Sequence, residues 1–219
     1  VRLGITIDLR KERGALIPAD GPVVAVANHP YGVIDGLVLC SLMSKVRSDY
    51  KIITHRVLHQ APATKDMILP IDFGETEEAL TTNLETRIAA SRHLGNGGAV
   101  IIFPAGSISL VPKLVGVAYD IEWKSFAAKL ATHRNTVTVP FLFNGSNSVL
   151  FQAARRLSQT LGYSLMFREI CKLMGTTVSV TMRRPVYSEN LRMIGNRKEV
   201  AKYLRDITYD FPRHQQQGI

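Results

Sequence analysis

Acidic residues are in short supply in this chain: 18 Asp and Glu stand against 27 Lys and Arg over 219 residues, a formal net charge of +9. Cysteine is scarcer still. Cys40 and Cys171 both lie in apolar helical stretches and lack metal-type spacing, so they read as packed thiols of a reducing compartment rather than a disulfide. No apolar run approaches the roughly 20 residues that a membrane-spanning helix needs, and no secretory signal is visible. A GxGxxG loop, an HExxH helix, a zinc finger and an aromatic RNA-binding signature are also missing, which argues against dinucleotide-binding, zinc-protease and common nucleic-acid-binding classes. No serine or cysteine nucleophile stands out, and no repeat, low-complexity tract or interdomain linker interrupts the chain.

What is present is core-forming. Hydrophobic residues make up 46% and charged residues 21%, the balance of a globular chain long enough to bury a substantial core in one α/β domain over residues 1–219. Apolar or alternating runs at 3–9, 23–27, 51–54, 67–72, 99–103, 136–143 and 176–183 predict about seven strands. Between them the pattern is helical. Leu80, Leu84 and Ile88 form one stripe over 77–94, with Glu75, Glu77 and Glu78 near its start and Arg92-His93 near its end, both suited to the helix dipole. A second helix over about 121–133 groups Trp123, Phe126, Ala127 and Leu130, and others are expected at about 148–161, 164–174 and 197–209. Strands alternating with helices imply a layered fold around a largely parallel sheet, with ligands gathering at the carboxyl ends of its strands.

Three strands end in polar, glycine-containing turns that can converge there: Asn28-His29, Ala105-Gly106-Ser107 and Asn144-Gly145. The first is the most informative. The run Val23-Val24-Ala25-Val26-Ala27 stops at Asn28-His29, and Asp35 opens a second apolar run, Leu37 to Met43. His29 is thus placed at a strand end with the carboxylate of a helix-start residue turned back towards it. An imidazole so oriented can take a proton from a hydroxyl near neutral pH. The structural alternative is a satisfied polar His beside a helix-capping Asp. His55 and His59 share i,i+4 spacing but have no acidic helper, and no metal site is read there.

Asn28-His29 to Asp35, then Phe103-Pro104-Ala105-Gly106-Ser107-Ile108-Ser109, then Val139-Pro140 running on to Asn144-Gly145, resemble the ordered motifs of the lysophospholipid acyltransferase (PlsC-like glycerolipid acyltransferase) superfamily. Those motifs are Asn-His-(x)4-Asp, Phe-Pro-Glu-Gly-Thr-Arg-Ser and a late Val-Pro. The resemblance spans roughly residues 20–150, and the longer His-to-Asp spacing is similar to that of a bacterial haemolysin-like or ornithine-lipid subgroup. It implies acyl transfer from an acyl carrier protein or coenzyme A thioester to a lipid hydroxyl, with His29 as general base and Asp35 holding its tautomer. No metal or redox cofactor is required. Asn28, Phe103, Pro104, Gly106, Ser107, Ser109, Pro140 and Asn144 would line the substrate site, with the Gly106-Ser107 turn one candidate source of oxyanion donors.

The departures from the pattern bear on the acceptor. Relatives that use glycerol phosphates place a Glu and an Arg where this chain has Ala105 and Ile108, and a further Arg where Phe73 follows Asp72. Losing both arginine forks disfavours a phosphate and favours a lyso-aminolipid such as lyso-ornithine lipid. A 1-acylglycerol-3-phosphate acyltransferase and a catalytically silent lipid-binding protein stay open as alternatives. The basic excess lies in residues 151–219, with 12 Lys and Arg against 5 Asp and Glu, compared with 15 against 13 before them. Anionic lipid or an acidic acyl carrier protein is therefore the expected partner, nucleic acid is not, and the expected location is peripheral, on the cytoplasmic face of the inner membrane. An apolar surface or a segment preceding Val1 would complete the membrane contact.

Overall fold

The computed structural model describes residues 3–60, 62–112 and 116–211. Its eight strands are β1 (Thr6–Lys11), β2 (Val23–Ala27), β3 (Tyr50–His55), β4 (Ile68–Ile71), β5 (Ala99–Ile102), β6 (Val137–Asn144), β7 (Thr177–Met182) and the two-residue β8 (Val186–Tyr187). They form one sheet in the order β1-β7-β6-β2-β5-β3-β4, with β8 pairing with β6. The block β6-β2-β5-β3-β4 is parallel, whereas β7 and β1 are parallel to each other and antiparallel to β6. The largely parallel α/β sheet and its seven expected strands are present; β8 is too short to leave a pattern in the sequence.

Helices cover both faces: α1 (Val33–Ser44), α2 (Glu77–Gly95), α3 (Ser125–Ala131), α4 (Val149–Leu157), α5 (Gln159–Ser164), α6 (Met166–Leu173), α7 (Ser188–Arg192) and α8 (Arg197–Tyr209). The five residues of β2 have no exposure at all. Val23, Ala25 and Ala27 pack with Ile34, Leu39 and Met43 of α1, and Val24 and Val26 pack with Leu94, Leu130 and Leu204 of α2, α3 and α8. A strand covered on both faces has no solvent side, which is why it reads as an unbroken apolar run.

The helices depart from expectation in three places. The stripe Leu80, Leu84 and Ile88 of α2 faces solvent, and the helix turns Ala79, Thr86, Ala90 and Leu94 inward. Small residues let α2 approach the sheet closely, so its larger apolar side chains are left outside. The single helix expected over 148–161 is broken at Ser158, which is extended (φ −159°, ψ 136°) and caps α5 with its hydroxyl. The helix expected from residue 121 starts at Ser125, leaving Trp123 in the preceding loop. Both cysteines are free, but only Cys40 is packed, its thiol pushed up to about 11 by burial; Cys171 is exposed.

At the amino end of the parallel strands, the buried Arg47 side chain gathers three strand starts. It pairs with both oxygens of Asp49 (2.6 and 2.7 Å) and donates to the carbonyls of Gly21 (2.9 Å) and Gly97 (2.8 Å). Among the described residues, no helix is long and apolar enough to cross a membrane.

Candidate active site

The chain leaving β2 is fastened residue by residue. Asn28 donates its side-chain amide to the Phe143 carbonyl (2.9 Å) and accepts the Phe143 N–H on its oxygen (2.7 Å). Buried and engaged at both ends, it clips β2 to β6. His29 follows. Its N–H points to Ser109 Oγ (3.2 Å) and Asp120 Oδ1 (3.3 Å), and its carbonyl accepts the Ser109 N–H (2.9 Å). Its ring rests on Phe103, with centroids 4.1 Å apart, where the chain leaves the neighbouring strand β5.

The longer spacing from His29 to Asp35 is absorbed by Gly32. That residue adopts φ 72° and ψ −117°, a conformation that residues with a Cβ avoid, and a Cβ there would press on Ile108 and Met166. Asp35 then falls in the first turn of α1, fully buried. Its Oδ2 accepts the N–H groups of Tyr31 and Gly32 (2.9 Å each) and lies 3.1 Å from His29 Nδ1. Burial pushes the Asp35 carboxyl up, opposed by the imidazole and the two backbone donors. With Nδ1 buried 3.1 Å from the carboxylate, Nε2 has no protein partner among the described residues, and the His29 side chain keeps 20% of its surface exposed. A proton acceptor facing solvent and oriented from behind can deprotonate an approaching hydroxyl.

A second buried carboxylate supports the site from below. Asp120 accepts the Ser109 hydroxyl and the His29 N–H on Oδ1, and the Trp123 indole N–H on Oδ2 (2.7 Å). Its own N–H donates to the Tyr209 hydroxyl (2.8 Å), and Arg205 donates to its carbonyl (2.8 Å). Burial pushes the Asp120 carboxyl up, against hydrogen bonds from Ser109 and Trp123. Sequence reasoning missed this group. The available signal was an Asp three residues before the only tryptophan, obscured because Trp123 was assigned to a helix stripe.

The remaining expected site residues divide into two sets. Phe103 packs against His29 with its ring tilted by 31°, and the Gly106-Ser107 turn follows it; the Gly106 N–H is committed to the Phe103 carbonyl (3.1 Å). The Ser107 N–H has no acceptor among the described residues. Asn144 is exposed at the end of β6, and its carbonyl accepts the Tyr31 hydroxyl (2.9 Å), which bridges the His29 turn to β6. Pro104, Ser109 and Pro140 are buried behind this surface. Ser109 holds the His29 backbone, and the Pro104 and Pro140 carbonyls accept the N–H groups of Lys124 and Arg183. His55 ends β3 and His59 lies in a short 3-10 turn, so the pair does not share a helix face.

A sequence profile described as Acyltransferase matches residues 6–216. The chain belongs to this acyltransferase family. Lyso-glycine lipid O-acyltransferases of Phocaeicola vulgatus and Bacteroides thetaiotaomicron are each 25% identical to it, over 203 and 202 residues, covering 88% of this chain and 69% and 71% of theirs. The crystal structure of the 1-acyl-sn-glycerophosphate acyltransferase PlsC from Thermotoga maritima aligns with a TM-score of 0.56 and 15% identity, over 97% of this chain and 74% of that one. At that identity the likeness is one of fold. Of the readings left open by the sequence, family membership supports an enzyme, and the acyltransferase carries His29 and Asp35 at the carboxyl end of its central strand.

Proposed function

We propose that this acyltransferase moves a fatty acyl group from a thioester of acyl carrier protein or coenzyme A to the hydroxyl of a lyso-aminolipid. The observation that carries the reading is His29 Nδ1 held 3.1 Å from the buried Asp35 carboxylate while Nε2 stays open. Nε2 takes the hydroxyl proton as the oxygen attacks the thioester carbonyl. Asp35 steadies the imidazolium, and the Ser107 N–H faces the developing oxyanion. Collapse of the tetrahedral intermediate breaks the C–S bond, and the imidazolium returns its proton to the departing thiolate. The products are an ester and a free thiol, with no acyl-enzyme between them.

Two observations support an amino-acid head group. Ala105, Ile108 and Phe73 occupy the positions where phosphate-using relatives carry charge, and the curated relatives above are named for lyso-glycine lipid. The lipid surface is assigned to α4–α6, which flank the site through Met166. Leu150, Leu157, Leu161 and Phe167 are exposed there beside Arg168 and Lys172. The one acid of these helices, Glu169, is buried, bonded to Ser148 and faced by both cations. An apolar face fringed with unbalanced positive charge suits the interface of an anionic leaflet, here the cytoplasmic face of the inner membrane.

The test is acyl transfer from acyl carrier protein and coenzyme A thioesters to lyso-glycine lipid, lyso-ornithine lipid and lysophosphatidic acid, with His29→Ala in parallel. Transfer to the aminolipids, reduced about 10²–10⁴-fold or more in His29→Ala, is expected. Transfer to lysophosphatidic acid alone would overturn the acceptor, and wild-type rates in His29→Ala would overturn the mechanism.

A further inference from the structure

The turn that supports His29 from β5 has an unused cation on its far side. Lys124 donates its N–H to the Pro104 carbonyl (3.0 Å) and lays its side chain along Gly106. A Cβ built on Gly106 would lie 2.8 Å from the ammonium nitrogen and 3.2 Å from Cε, so the absence of a side chain at Gly106, itself at φ 66°, makes room for the lysine. From there the ammonium stands 5.8 Å from the centre of the Phe73 ring. Phe73 and the Phe103–Ile108 turn are the two segments in which the phosphate-using pattern carries arginines.

No carboxylate answers this ammonium among the described residues. Its acidic neighbours are engaged elsewhere: Asp72 pairs with Arg56 and accepts the Gly74 N–H, and Glu122 pairs with Lys198. Nor does the position benefit the fold. Lys124 is the N-cap of α3 and makes no side-chain capping bond. Ser, Thr, Asp or Asn is preferred at an N-cap, and the lysine side chain turns away from that role towards Gly106 and Phe73. A residue that breaks a local rule beside an active site is a reason to look for a ligand.

We propose that Lys124 is the head-group site of the acceptor and that it pairs with the acceptor's free carboxylate. The inference rests on the lyso-aminolipid reading above. In an N-(3-hydroxyacyl)amino acid, six bonds separate the nucleophilic oxygen from the carboxyl carbon, about 7 Å when extended. A hydroxyl at His29 would send the carboxylate across the Phe103–Gly106 turn, on which the lysine side chain lies. One point charge suits a monoanionic head group, and the two arginine forks of the phosphate-using pattern are replaced here by Phe73 and Ile108. Phe73 contributes its ring face, which holds the ammonium at the turn when no lipid is bound. The site therefore selects acceptors by the charge of the head group, at a distance from the bond that forms.

The experiment compares N-(3-hydroxyacyl)glycine with the corresponding glycinamide, which keeps the hydroxyl and the acyl chain but has no charge. The acyl thioester is held saturating, and kcat and KM are measured for the wild type, Lys124→Gln and Lys124→Arg. The wild type should favour the carboxylate. In Lys124→Gln the ratio of kcat/KM between carboxylate and amide should fall about tenfold, through KM, and Lys124→Arg should restore most of it. An unchanged ratio in Lys124→Gln, or a loss carried by kcat equally on both acceptors, overturns the assignment while leaving the aminolipid reading intact. A wild type that uses neither glycine compound but does acylate lysophosphatidic acid overturns both. Thermal melting of the variants confirms that each is folded.

Discussion

At the scale of single residues, the site is two buried carboxylates working on one histidine from different sides. Asp35 orients the ring, and Asp120 holds the backbone that carries it. Asp35 was legible because it stands six positions from His29 in a glycine-bearing turn, so a local rule could pair them. Asp120 lies 91 residues away, and only the packing of its loop under β2 brings it in. All the bonds of its side chain are accepted ones: the Ser109 hydroxyl, the His29 N–H and the Trp123 indole N–H converge on two oxygens. An amide would turn its NH2 towards at least one donor. Asp120→Asn should therefore lose about 1–3 kcal/mol of stability. Its kcat should fall roughly tenfold or more, because a small displacement of the base is costly, with little change in acceptor KM. Trp123, the only tryptophan, reports the same event, and its emission should change as the indole N–H loses its carboxylate partner. Normal emission and normal kcat would show that Asp120 does not position the histidine.

At the scale of elements, burial reverses what periodicity suggests. Leu80, Leu84 and Ile88 satisfy the rule for a core-facing stripe, yet α2 sets its alanines against the sheet and leaves these side chains in solvent. Periodicity reports that a helix has an apolar face; it cannot report which face the neighbouring elements leave room for. The helices α4–α6 show the same thing at the lip of the site, where Leu157 is 81% and Phe167 76% exposed. The two exposed faces differ in their charge. Glu77, Glu78 and Glu85 belong to α2, whereas α6 carries Arg168 and Lys172 and buries its one acid, Glu169. Only the second face suits anionic lipid. Leu157→Ser with Phe167→Ser should weaken co-sedimentation with phosphatidylglycerol vesicles about a hundredfold, from the apolar area no longer inserted, and leave the melting temperature nearly unchanged. Leu80→Ser with Leu84→Ser should leave vesicle binding as it was. The reverse pattern would move the membrane face to α2.

At the scale of the whole molecule, the candidate site and the Arg47 cluster occupy opposite ends of one sheet. The carboxyl ends of β2, β5 and β6 carry the residues proposed to react, and the amino ends of β2, β5 and β3 are gathered by Arg47. Arg47→Met should cost about 1–3 kcal/mol, because it leaves the Gly21 and Gly97 carbonyls and the Asp49 carboxylate without their donor, and should leave kcat of the folded enzyme near normal. Its effect should depend on pH. The Arg47 hydrogen bond holds the Asp49 carboxyl below its usual value, so the stability it contributes is present above about pH 4 and fades as the pH falls through the folded value. The melting-temperature gap between wild type and Arg47→Met should narrow in acid; a constant gap would exclude the pair as its source. Asp49 is half exposed, which keeps this pH-dependent part small. The basic excess of the last third is likewise partly structural. Arg183, one of its arginines, is held by Glu12 and Asp210, and Lys202 pairs with Asp206, so neither is a free surface charge. What could be read from the chain alone was what local rules govern: the doubly buried strand β2, the alternation of strands and helices, and the pairing of His29 with Asp35 across a short glycine turn. What only the packed structure decided was everything set by distant segments meeting. Asp120 beneath the histidine, Lys124 over Gly106, Asn28 turned into a strand clip and the outward stripe of α2 all depend on neighbours remote in sequence. Pattern and spacing act along the chain, whereas burial and hydrogen-bond partners are settled across it.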